Sequence, residues 1–85
     1  MKHRSEDYMF YITEQADRLI APNYRYRAYT DYESGDSPIV VLIVDRHDCT
    51  FMESWNTDVS LTWGRRREIK RNLQALHYTI WRCGI

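Results

Sequence analysis

The chain has 85 residues, 12 cationic against 12 anionic side chains, and 14% aromatic residues. A domain this small buries roughly 60–65% of its unfolded surface, which excludes a sizeable core and a deep substrate pocket together. No apolar run approaches the ~20 residues of a membrane span, so no membrane-spanning helix is expected.

The N-terminus, Met1-Lys2-His3-Arg4-Ser5, leads into acidic residues and not an apolar segment. No secretory signal is therefore expected, and the expectation is a soluble cytoplasmic protein with reduced thiols. Ser5 is a good N-cap, and Glu6 and Asp7 suit the positive end of a helix dipole. Met9, Ile12, Ala16, Leu19 and Ile20 follow at helical spacing, which predicts a helix over 6–20 that Pro22 ends. Phe10 and Tyr11 lie off that stripe.

Residues 24–32 alternate with period two. Tyr24, Tyr26, Ala28, Thr30 and Tyr32 share one face; Arg25, Arg27, Tyr29 and Asp31 share the other, as in a half-buried strand. A loop of turn formers, 33–38, leads into Ile39-Val40-Val41-Leu42-Ile43-Val44. This run is short, rich in β-branched residues and bounded by Pro38 and polar residues, so it predicts a central strand buried on both faces. Asp45-Arg46-His47-Asp48 is a tight turn, and residues 49–55 return as the second arm of a hairpin. Asn56-Thr57-Asp58 is turn-like. Val59-Ser60-Leu61-Thr62-Trp63 alternates again and predicts a fourth strand with Val59, Leu61 and Trp63 inward, ended by Gly64.

Residues 65–83 carry Ile69, Leu73, Leu76, Ile80 and Cys83 on one helical stripe, with Gly84 placed as the residue after the cap. The order is α-β-β-β-β-α. As one domain over 1–85, its economical arrangement is an α+β antiparallel meander with both helices packed on one face. The opposite sheet face is then left to solvent or to a partner.

The overall neutrality hides a segregation of charge. Residues 64–85 hold six cations against Glu68 alone, a net +5, and the rest of the chain carries −5. Arg65, Arg66, Arg67, Lys70 and Arg71 open the last helix, where positive charge opposes the macrodipole. A cluster placed against that cost points to an anionic partner; the alternative is a solvated face answering the chain's own acidic strands. Nucleic acid is the narrower option, because the global charge is neutral and recognised motifs are missing. Tyr24 and Tyr26 would supply its stacking groups.

Neither a metal nor a cofactor is expected. Asp45, His47 and Asp48 are residues a turn uses for backbone reasons. Asp58 with Glu68 and Lys70 has the residue types of a metal nuclease, but the Glu and Lys fall in a helix that begins with arginines. Cys49 and Cys83 lack a neighbouring base in sequence and are expected as small core residues. Phe10, Tyr11, Tyr78 and Trp81 lie outside the faces their helices need for the core. Tyr, Trp and Arg dominate interface energy, so these four and the basic cluster form the candidate partner-binding set.

The element order is similar to that of small phage-encoded inhibitors of host or defence enzymes. A similar layout is that of the podophage inhibitor of host dGTP triphosphohydrolase. Both run helix, Tyr-rich strand, apolar strand ending in an acidic-Arg pair (Asp45-Arg46), aromatic strand and a C-terminal helix bearing Trp (Trp81). The likeness covers order and spacing over residues 5–81, and it breaks at Arg65–Arg71, where that family is more acidic. The resemblance implies a non-catalytic protein that binds a bacterial protein target. Self-association is expected on separate grounds, because a strand apolar on both faces, with helices enough to cover only one, leaves a face for a second copy or a partner.

Overall fold

The computed structural model describes residues 4–33 and 37–83. The tip of the loop expected at 33–38 and the Gly84 cap lie outside the described residues. Helix α1 spans Arg4–Leu19, strand β1 Arg25–Asp31, strand β2 Ile39–Arg46, strand β3 Cys49–Asn56 and helix α2 Trp63–Cys83. The fold is α+β, a three-stranded antiparallel meander in the order β1-β2-β3.

The run 39–44 is the central strand, for the reason its composition suggests. Val40, Leu42 and Val44 face the helices and are fully buried. In register across the sheet, Tyr26, Val44 and Phe51 align, as do Thr30, Val40 and Trp55. Onto this face α1 brings Tyr8, Ile12, Ala16 and Ile20 of the chain that follows it, and α2 brings Ile69, Leu73, Leu76 and Ile80. Trp55 Nε1 donates to Asn72 Oδ1 at 2.8 Å, so the buried indole is also a polar link between sheet and α2. On the other face Ile39, Val41 and Ile43 run between Tyr29 on β1 and Met52 and Ser54 on β3. Among the described residues no helix covers that face.

Helix α1 starts at Arg4, so Ser5 is not its cap; Ser5 is buried within the first turn. The buried stripe is Tyr8, Ile12, Ala16 and Ile20, and Met9 and Leu19 lie at its margins. Tyr8, one turn before Ile12, is its missed first member. Gln15 is buried on the same helix, and its Oε1 has no hydrogen-bond partner among the described residues. A buried acceptor without a donor costs about 1–3 kcal/mol. Gln15→Met, which keeps the length of the side chain, should therefore raise the melting temperature by about 4–8 °C for each kcal/mol recovered. A lower melting temperature in calorimetry would show that the amide does have a partner.

The fourth strand does not form. Residues 57–62 are an irregular connection, and α2 begins two residues earlier than its apolar stripe suggests. Alternation is outweighed here by side chains that take up the backbone. Arg4 Nη1 donates to the Asp58 carbonyl at 2.8 Å, and Tyr8 Oη donates to the Val59 carbonyl at 2.8 Å. Thr62 is the N-cap of α2: its hydroxyl accepts from the Arg65 backbone N–H at 3.2 Å, and its carbonyl accepts from the Arg66 N–H. Leu61 does pack on the core, whereas Val59 and Trp63 are exposed. Gly64 lies inside the first helical turn and does not interrupt it.

Candidate functional site

Helical geometry divides the basic cluster into two groups with different surroundings. Arg65 stands one turn before Ile69 and so continues the buried stripe of α2 backward. Its side chain is only 19% exposed. Nε donates to Tyr8 Oη at 3.3 Å and Nη2 to the Asn56 carbonyl at 3.0 Å, while Nη1 pairs with Glu68. The guanidinium also lies over the Tyr8 ring. Burial works against its charge, but the hydrogen bonds to Tyr8 and Glu68 outweigh it, and the Arg65 pKa is raised above its ordinary value. Arg66 lies between the rings of Tyr11 and Trp63, 5.2 and 5.5 Å from their centroids. These two arginines belong to the fold.

Arg67, Lys70 and Arg71 point the other way. All three are exposed, and none makes an ion pair among the described residues. The acidic strands of the chain therefore do not account for them. At 100° per residue Trp63, Arg67, Lys70, Arg71, Gln74, Tyr78, Trp81 and Arg82 share one face of α2, opposite Ile69, Leu73, Leu76 and Ile80. Four cations occupy this stripe and no acid does. Tyr78 and Trp81 are 55% and 51% exposed. They stack on each other at 6.1 Å, and Arg82 lies over the Tyr78 ring at 5.7 Å. Trp63 and Arg82 belong to the stripe and were missing from the expected set; their spacing from Arg67 and Tyr78 was the available signal.

The other two expected residues are elsewhere. Phe10 is exposed and lines a cleft with Asp7, Tyr11, Glu14, Leu61 and Arg66, at the N-terminal end of α2. Tyr11 packs on the core and its hydroxyl donates to the Arg66 carbonyl at 3.0 Å, while its burial raises the pKa of the phenol. The rise of α2 separates this end from Tyr78 and Trp81 by about 20–25 Å. The four aromatics therefore do not form one patch.

Tyr24 and Tyr26 are not stacking platforms either. Tyr24 is half-buried, packs beside His77 and lies under Arg46. Tyr26 points inward and donates to Asp17 Oδ1 at 2.5 Å; burial first, then that hydrogen bond, pushes its pKa up to about 12.

At the opposite corner Arg46 closes β2 onto the end of α2. Its Nη1 donates to the Ile80 carbonyl at 2.6 Å and to the Trp81 carbonyl at 3.2 Å, a cation placed on the negative end of the helix. The hairpin turns through His47 at φ 53°, the left-handed conformation such turns require. Asp45 pairs with Arg27 at 3.6 Å and accepts from Thr50. Cys49 and Cys83 are both exposed and free, contrary to their expected place in the core. Each sits at the end of its element, Cys49 at the start of β3 and Cys83 at the last residue of α2, where apolar spacing no longer implies cover.

Among the described residues no three His, Cys, Asp or Glu side chains come together as metal ligands, and no helix is long and apolar enough to cross a membrane. Comparison with protein-family models, with curated proteins and with solved structures finds no match to this chain.

Proposed function

We propose that the protein is a small non-catalytic inhibitor or modulator that binds a bacterial protein through the outer face of α2. On this reading it is a phage host-takeover or anti-defence protein acting in the host cytoplasm. The observation that supports it is the stripe Arg67, Lys70, Arg71, Tyr78, Trp81 and Arg82: cations with no ion pair among the described residues, continuous with an exposed aromatic pair. Large rigid aromatics beside arginine are the composition of binding hot spots, and charge of one sign selects an acidic partner surface.

The test is capture from bacterial lysate with the wild-type chain and with an Arg67→Glu, Arg71→Glu, Trp81→Ala variant. The wild type should retain a protein that the variant loses, at unchanged melting temperature, since these side chains support nothing in the core. Equal retention by both would remove the α2 face from the interaction.

The same cations favour a second reading, a nucleic-acid-binding module. Tyr78 and Trp81 stack on one another and do not stand apart as platforms for successive bases, so the protein reading is preferred. Binding to random DNA or RNA with a steep log–log salt dependence would reverse that preference.

The uncovered sheet face supports self-association as part of the proposal. Tyr29 and Met52 are exposed there beside Ile39 and Ile43. Light scattering at high micromolar concentration should detect a dimer that Ile43→Lys converts to monomer, since Ile43 sits mid-face between Arg27 and Met52. A monomeric wild type at that concentration would exclude this face as a contact between copies.

A further inference from the structure

Cys49 and Cys83 are far apart in the sequence, yet they meet at one corner of the fold. Three contacts enforce the meeting. The two-residue turn at His47-Asp48 places Cys49 opposite Arg46 in the β2–β3 register. Arg46 grips the carbonyls of Ile80 and Trp81, which draws the last turn of α2 to that turn. Cys83 then lies in the same cleft as Cys49, with Arg46, His47, Asp48 and Phe51 as its other walls. Across that cleft the two thiols face one another closely enough that Cys83 is the leading influence on the Cys49 thiol. Both residues are solvent-exposed and neither is in a disulfide.

We propose that Cys49 and Cys83 are a thiol–disulfide site, converted reversibly to an intramolecular disulfide by exchange with a low-molecular-weight disulfide. One cysteine, as thiolate, attacks a sulfur of the external disulfide; a mixed disulfide forms and the first small thiol leaves. The second cysteine then attacks the protein sulfur of that mixed disulfide, and the second small thiol leaves. The cysteine pair is oxidised by two electrons, the external disulfide is reduced to two thiols, and the two protons of the pair end on those thiols. Exposure gives the oxidant access, and the place of both thiols in one cleft favours the second step over release of a stable adduct.

The neighbouring Cys83 thiol, more than any other group, raises the Cys49 pKa above its ordinary value, while Arg46 acts in the opposite sense. Thiolate is the attacking species, so exchange accelerates as the pH rises through the thiol range. The product would tie the start of β3 to the end of α2, at the corner where the Arg46 hydrogen bonds bring the hairpin to the helix. The inference is independent of the partner reading.

The experiment incubates the full chain with glutathione disulfide, quenches by alkylation under denaturing conditions, and reads intact mass, peptide map and melting temperature. The expected product is a monomer lighter by two hydrogens, with the Cys49 and Cys83 peptides joined and no glutathione attached. A cross-link closing a loop of this length should raise the melting temperature by on the order of 10 °C, reversed by dithiothreitol. Cys49→Ser and Cys83→Ser should each stop at the glutathione adduct and show no such rise. A wild type that stays reduced, accumulates glutathione adducts or forms covalent dimers would overturn the proposal. So would an oxidised form that melts below the reduced one.

Discussion

Leu42→Asp should abolish cooperative unfolding, whereas Val41→Asp, one residue earlier on the same strand, should lower the melting temperature and leave the transition intact. Leu42 is fully buried beneath both helices, and its neighbours in the sheet are Ala28 and Glu53. A carboxylate there has no cationic partner and no route to water, and the loss of packing adds about 2–5 kcal/mol to the cost of the charge. Total stability for a chain of this length is on the order of 4–13 kcal/mol, so little or none remains. Val41 is also nearly buried, at 5% exposure, but on the other face of the sheet and outside the core cluster beneath the helices. Its register partners are Tyr29 and Ser54, and Arg27 stands at the next position on the same face. A carboxylate at 41 reaches water across that open face, with a guanidinium in its vicinity. Circular-dichroism melts of the two variants check the assignment, and equal damage would mean that the outer face is covered after all.

Arg65→Ala should be the most damaging change in the basic cluster, and Arg67→Ala nearly silent. Truncating Arg65 removes the donors to Tyr8 and Asn56 together, leaves Glu68 without its partner and uncovers the Tyr8 ring. Loss of such a half-buried charged network costs about 2–4 kcal/mol, a fall of roughly 10–25 °C for a domain of this size. Arg67 is exposed and makes no ion pair among the described residues, so its removal stays within about 0.5 kcal/mol. Thermal melts of the two single variants separate the cations that hold the fold from those available to a partner. Similar melting temperatures would contradict the division made by the helix geometry.

The sequence by itself determines the α+β class, the central strand and its direction of pairing, and the buried stripe of α2. Those features rest on local physics. A run of β-branched residues between turn formers suits only a strand, and Ile69, Leu73, Leu76 and Ile80 face one way on any helix. Even the separation of Arg65 from Arg67 is present in the spacing, since Arg65 is four residues before Ile69. It is obscured by reading a run of like charges as one surface.

Only the tertiary structure decides the rest. Residues 59–63 alternate as a strand would, but the Val59 carbonyl is taken by Tyr8 from α1, and Thr62 takes the cap of α2. Backbone groups go to whichever donors surround them, and those donors come from residues far off in sequence. The meeting of Cys49 with Cys83 has the same origin. Spacing along one helix placed Cys83 on the core stripe, but the stripe outruns the sheet beneath it. What Cys83 finds beyond that edge is the hairpin corner, because Arg46 binds the last carbonyls of α2 there.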